Sequence, residues 1–307
     1  MPAWILKAMI QKGISFLPGG NHINTLFQKY ITKGLQLTDE LFESKLKHCQ
    51  AHAEALNQYT SFTENITALE LGTGWYPIVP IGLYLQGAGN IISLDIKSTV
   101  TKKTIHAVLK KFLAYNEIGK LHTLLKGIRN DRLEIVKDLA KKRNNKAYIL
   151  EKMQIKLFVG DYLMCDVPDG SVHLINSNNT FEHVPPQVLS DLLHWFRKKI
   201  HPGGVMSHFI DLSDHFSHMD TSISNYHFLK YSPLQWKIID NTIQPQNRLR
   251  INQYRQLLEE ANWHLLFENC IVAQPGRTNE IKLHNCFANI PAADLYVTHA
   301  LLYCKPA

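Results

Sequence analysis

Cysteine is scarce in this 307-residue sequence, and what there is sits apart. Cys49, Cys165, Cys270, Cys286 and Cys304 are odd in number and form no Cys-x-x-Cys pair, which argues against a disulfide framework and points to reduced thiols in the cytoplasm. No run is long and apolar enough to cross a bilayer. Residues 3–17 are apolar, but Lys7 and Lys12 interrupt them and no small-residue cleavage pattern follows, so no signal peptide is expected. Internal repeats and low-complexity stretches are also lacking, and 45% hydrophobic content suffices for one large α/β core with helical additions.

Acidic charge is sparse in one place. Between Lys97 and Lys156 there are 16 Lys and Arg against 5 Asp and Glu, whereas the rest of the chain has 17 against 21, so the net charge of +7 arises in that segment alone. Such a segment suits an anionic partner such as RNA, acidic lipid or a phosphorylated substrate. Aromatic residues are not interleaved with the charges as single-strand binding requires, and solvated helix faces are the preferred reading. Nucleic acid is therefore the less favoured partner.

Residues 66–97 organise the rest. Residues 66–71 alternate as a strand does and run into Glu70-Leu71-Gly72-Thr73-Gly74; an apolar helical run over 77–86 follows, and a second strand over 91–94 ends in Asp95. The glycines permit torsions and close approaches that a Cβ forbids, and Pro77 suits a helix start. Dinucleotide sites keep a third glycine for the pyrophosphate; here that position is Tyr76, so a diphosphate fits badly. An ordinary strand-to-helix turn is the plain alternative.

On Glu70-Leu71-Gly72-Thr73-Gly74 and Asp95 the sequence resembles the class I S-adenosylmethionine (SAM) dependent methyltransferases. The resemblance implies a Rossmann-like, seven-stranded, mostly parallel sheet with an antiparallel last strand, with SAM as cofactor. It gives the turn, including Glu70, Gly72, Thr73 and Gly74, to the methionine and ribose parts of SAM, and Asp95 to the ribose hydroxyls. A third strand over 155–159 ends in Gly160-Asp161-Tyr162, where the resemblance sets Asp161 beside the adenine amino group and Tyr162 against its ring. After a turn at 168–171, a fourth strand over 172–177 runs into Asn178-Asn179-Thr180-Phe181-Glu182-His183-Val184, very like the corresponding motif of small-molecule methyltransferases. It places Asn178 and Asn179 with the cofactor, and Glu182 and His183 at the carboxyl edge of the sheet. A helix over 186–200, stopped by His201-Pro202-Gly203-Gly204, a strand over 205–210, a helix over 252–261 with Asn262 as its left-handed stop, and strands over 263–272 and 294–304 complete the order.

Helices are expected over 4–17, 23–31 and 39–58, giving an N-terminal helical cap over 1–60 and a SAM-binding domain over 61–307 with insertions at about 98–153 and 213–250. Within the first insertion, 99–115 and 131–142 have helical spacing.

Methyl transfer asks the protein mainly for alignment and exclusion of water, and a hydroxyl or amine acceptor also loses a proton. His183, His208 and His215 are the candidate bases; a core role for His208 and a solvated loop for His215 are the structural alternatives. His208, Asp211, Asp214, His215, His218 and Asp220 invite a metal reading, but their spacing matches no zinc pattern and the Asp residues suit turns, so no metal is expected. Arg248 or Arg250 could grip an anionic acceptor. The function expected is methylation of an oxygen or nitrogen of a small molecule. The alternatives are RNA methylation through the basic insert and a SAM-binding protein that uses SAM for a non-methylating reaction. No Asn/Asp-Pro-Pro-Tyr/Phe motif follows the fourth strand, which argues against adenine-N6 chemistry.

Overall fold

A computed structural model describes residues 2–15, 36–61, 65–242, 244–272 and 281–307. The helix expected over 23–31 lies outside the described residues. Strands β1 (Thr67–Leu71), β2 (Asn90–Asp95), β3 (Ile155–Val159), β4 (Val172–Asn178), β5 (Ile200–Asp211), β6 (Trp263–Val272) and β7 (Val297–Pro306) form one sheet in the order β3-β2-β1-β4-β5-β7-β6. The first five pair in parallel, and β7 lies antiparallel between β5 and β6. The Rossmann-like, mostly parallel sheet expected from the sequence is present. Strand order reverses between β1 and β4, and open α/β sheets bind ligands outside the carboxyl ends of the strands at that point.

Alternation along the strands sorts side chains onto two faces. Ala68, Ile91, Leu174 and Val205 pack under the helix Asp39–Tyr59, the helix Ile78–Leu85 and the insertion helices, whereas Leu69, Leu71, Ile92, Ile175 and Met206 pack under the helices Pro186–Lys199 and Ile251–Glu260. The helix Asp39–Tyr59 starts where the Thr38 hydroxyl accepts from Leu41 N–H, and it buries Phe42, Leu46, Cys49, Ala53 and Leu56 at helical spacing. Its stripe lies in the main core, and each such large side chain contributes about 1.5–3 kcal/mol.

The first insertion forms the helices Lys102–Glu117, Leu121–Leu124, Asn130–Lys141 and Lys146–Lys152, of which the second and the last were not expected. Its apolar faces, including Ile105, Leu109, Phe112, Val136 and Ile149, join the same core. The second insertion instead forms a separate aromatic cluster. Phe216, Tyr226, Phe228 and Trp236 pack there with Ala8 and Trp4 of the helix Ala3–Ser15.

Two boundaries differ from expectation. The strand expected from 294 begins at Val297, after the short helix Ala292–Leu295. His201-Pro202-Gly203-Gly204 does not separate helix from strand, because β5 begins at Ile200, which pairs with Val172 before the register shifts and Val205 meets Leu174. The Gly and Pro residues make an irregular first segment of the strand. Asn262 has φ +58° directly after the helix Ile251–Glu260, as its stop role requires. All five cysteines are free, and no described helix is long and apolar enough to cross a membrane.

Candidate cofactor and acceptor site

The turn after β1 holds its shape through its neighbours. Gly72 N–H donates to Leu94 O at 2.8 Å, and Asp95 accepts from Gly74 N–H at Oδ2 and from Lys97 N–H at Oδ1, each at 3.1 Å. Gly72 and Gly74 have φ of +79° and +67°, a region costly for other residues. A Cβ on Gly72 would stand 2.4 Å from Thr180 Oγ1; one on Gly74 would meet no described heavy atom within 4 Å. The turn is thus jammed against the β4 exit on one side and open on the other. Tyr76 packs against the main core and is not among the residues that line the cavity below.

A cavity of about 440 Å³ opens beside the turn, within the usual range for small-molecule sites. Gly72, Asp95, Asp161, Tyr162 and His183 line it, with Leu94, Leu163, Val184 and Val188 as apolar walls. Asp161 Oδ1 accepts from Leu163 N–H at 3.0 Å, and Tyr162 meets Trp195 edge-on at 5.4 Å between ring centroids. Thr73 and Gly74 line a smaller space of about 90 Å³ that shares Asp95. Five of the sequence-predicted residues therefore meet in one cavity and two more in its neighbour.

Beneath the turn is a buried polar floor. Glu70 takes a hydrogen bond from the Thr73 hydroxyl at 2.7 Å, and burial pushes its carboxyl up to about 7 against the pull of Thr73 and Lys45. Asn178 is buried, its side-chain oxygen 3.1 Å from His52 Nε2 and its carbonyl accepting from Lys45 Nζ at 3.2 Å. His52 then accepts from the Ser207 hydroxyl at Nδ1, at 2.6 Å. Asn179 adopts φ +52° and donates its N–H to Phe209 O. The sequence reading did not pick out Lys45 and His52. Both lie on the stripe that contains Phe42, Cys49 and Leu56, and polar residues on an apolar stripe were the available signal.

The three candidate histidines separate. His208 is only 1% exposed, meets the Ser177 hydroxyl at 2.8 Å and stacks on Phe181; burial drives its pKa well down, and it lines no part of the cavity. His183 lines the cavity with Nδ1 2.6 Å from Pro245 O, so Nδ1 carries the proton and Nε2 a lone pair. Burial, aided by His215, lowers its pKa to about 4, which leaves it neutral near pH 7. His215 lies behind it, ring centroids 5.0 Å apart, with Nε2 3.5 Å from Asp211 Oδ2. Burial works to raise the Asp211 pKa, but His215 and Ser213 together hold it below the usual range.

The other members of the acidic and histidine-rich run serve local structure. Asp214 accepts from Phe216 N–H, and Asp220 from the N–H groups of Ser222 and Trp4. Arg248 and Arg250 are engaged with backbone carbonyls and do not line the cavity. Arg248 donates to Phe228 O and Tyr231 O, and the fully buried Arg250 donates to Leu212 O and Val297 O, because carbonyls of the second insertion and the sheet edge need donors there.

No family model matches the chain, and no curated protein matches it in sequence. Solved structures do. A SAM-dependent methyltransferase from Methanosarcina mazei is 12% identical, with 82% of this chain and 96% of that chain covered and a TM-score of 0.44. Geranyl diphosphate C-methyltransferase from Streptomyces coelicolor A3(2) is 10% identical, covering 84% and 80%, with a TM-score of 0.45. A Haloferax volcanii protein described as a methyltransferase, solved in complex with the activator Trm112, is 15% identical, covering 88% and 93%, with a TM-score of 0.45. In strand order and direction, the chain has the Rossmann-like, seven-stranded, mostly parallel fold with β7 antiparallel.

Proposed function

We propose that this protein is a SAM-dependent methyltransferase acting on an oxygen or nitrogen of a small molecule. The observation that carries the reading is the meeting of Gly72, Asp95, Asp161 and Tyr162 in one mostly apolar cavity of about 440 Å³. When bound, SAM supplies an electrophilic methyl group on a sulfonium. The chain's own residues suit that ligand: Gly74 leaves open space over the turn, Asp95 offers carboxylate oxygens to a ribose, and Asp161 and Tyr162 flank a space that an adenine ring can fill. Lys45 and Glu70 lie beneath the turn, where burial works against the charge of each, and they support the turn without lining the cavity. Apolar walls exclude water. In the cavity wall, neutral His183 presents a lone pair, which can take up a proton from an acceptor or bind a Lewis acid.

The test is calorimetric titration of SAM into wild type and Asp95→Ala. Charge-assisted hydrogen bonds of about 1.5–3 kcal/mol predict a loss of roughly tenfold or more. Unchanged affinity in a folded variant removes the ribose assignment. The free thiols fit a reducing, cytoplasmic setting.

RNA methylation has one specific observation in its favour, a groove of about 470 Å³ lined by Lys102, Lys103, Lys110, Lys141 and Arg143. It shares no lining residue with the cavity that contains Asp95, so the small-molecule reading stands ahead. SAM consumed without release of S-adenosylhomocysteine would point instead to a non-methylating reaction.

A further inference from the structure

At the β4 exit the donor atoms of three side chains converge. Glu182, His183 and His215 each offer one ligand atom, and these atoms all lie within 4.8 Å of one another. Glu182 is 1% exposed, and among the described residues no side chain hydrogen-bonds to either of its carboxylate oxygens. A buried carboxylate left in that state is costly, and native structures pair such groups or place them on a metal. Lys45 attracts it, yet the Lys45 ammonium donates to Asn178 O, and among the described residues no ion pair reaches Glu182. Among the described residues, His215 Nε2 is likewise buried without a hydrogen bond.

The surroundings of the two rings strengthen the point. His183 Nδ1–H donates to Pro245 O at 2.6 Å, which fixes the tautomer and frees Nε2; metal-ligating imidazoles almost always make such an outer bond. Asp211 Oδ2, 3.5 Å from His215 Nε2, adds negative charge beside the three ligands, and Asp211 is itself held by the N–H and hydroxyl of Ser213 through Oδ1. Single-residue general-base catalysis needs one lone pair. Here two imidazoles and a carboxylate with two unused oxygens face one another.

We propose that Glu182, His183 and His215 form a binding site for a divalent first-row transition ion, Zn²⁺, Fe²⁺ or a neighbour of these. Two imidazoles and one carboxylate suit such ions, whereas an all-oxygen set would suit Ca²⁺ or Mg²⁺. Ligand atoms about 2.0–2.2 Å from a common ion sit roughly 3–3.5 Å apart, so the set must draw in by about an ångström, within reach of side-chain rotation. His183 lines the main cavity, so positions left open on the ion face that space. Binding of the ion does not depend on methyl transfer. Its use does rest on that reading: an acceptor hydroxyl held there would become more acidic without a protein base.

The experiment titrates Co²⁺ alone into full-length protein stripped with a chelator, followed by visible absorption and calorimetry, with SAM titrated into the same metal-free sample. The expected result is saturation near one ion per chain and displacement by Zn²⁺. Glu182→Gln and His183→Ala should each weaken Co²⁺ by about tenfold or more, and His194→Ala, on an exposed helix face, should not. Wild type that binds no Co²⁺, or binding equally affected in all three variants or in none, overturns the site. Should the variants fail to fold, wild-type crystals soaked in Zn²⁺ decide: an anomalous peak among the three side chains supports the site, and peaks only elsewhere overturn it. Metal binding without SAM binding would overturn the methyltransferase reading and leave the site standing; SAM binding without metal would do the reverse.

Discussion

The segment between β2 and β3 carries the chain's excess positive charge, and the segment between β5 and the helix Ile251–Glu260 carries little of it. The first folds as amphipathic helices whose inner faces merge with the main core, so its lysines line the outside of an ordinary scaffold. The second has few regular elements, forms its own aromatic cluster, and reaches into the site. Pro245 O orients His183, Asn247 donates to Phe181 O and Val184 O on either side of the Glu182-His183 pair, and His215 completes the convergent set. Conspicuous charge therefore marks the scaffold, and the quieter insertion supplies the contacts at the candidate site.

Removing the scaffold's main plug is the largest expected effect. Phe112 is fully buried and meets Phe42 edge-on at 5.0 Å, so Phe112→Ala should cost about 3–5 kcal/mol in denaturant titrations. If the loss were confined to the insertion helices while the sheet unfolded as before, the two insertions would be equivalent appendages and the contrast would fail.

Acid should act next, from beneath the site. Burial lowers His52 to about 4, opposed by its bond to Asn178, against 6.5 in the unfolded chain. The folded form binds fewer protons between those values, so this contribution is complete above about pH 6.5 and is lost as pH falls toward about 4, roughly 3 kcal/mol in all. Denaturation curves across that range should show the slope, and His52→Gln should flatten it. An unchanged slope in the variant would assign the acid sensitivity to other groups.

The smallest effect sharpens the comparison by its absence. Lys103→Gln with Lys141→Gln should change stability by less than about 0.5 kcal/mol and leave SAM affinity where it was. A marked fall in product formation on RNA, with a shallower salt dependence, would instead make the basic groove a substrate surface.

Local pattern made much of this legible. Alternation around Leu69 and Leu71, the left-handed stop at Asn262 and the acid ending β2 all follow from neighbours in sequence, and the structure places them as expected. His201 to Gly204 misled because Pro and Gly read as a stop, although a parallel neighbour in β4 can hold the irregular backbone as strand. Arg248 and Arg250 misled because guanidinium chemistry suggests a bound anion, whereas their use depends on which carbonyls the tertiary fold strands nearby. The convergence of Glu182 with His215 is a contact between segments far apart in sequence, which no spacing rule reports.

The bond from Gly74 N–H to Asp95 ties the turn that would receive the amino-acid end of a nucleoside–amino acid ligand to the strand end that would receive its sugar. Neither end can be loosened without disturbing the other. A fragment such as adenosine or methionine alone would then meet a receptor already set for the whole compound, and joining the fragments should gain affinity through linkage, with little refolding of the protein.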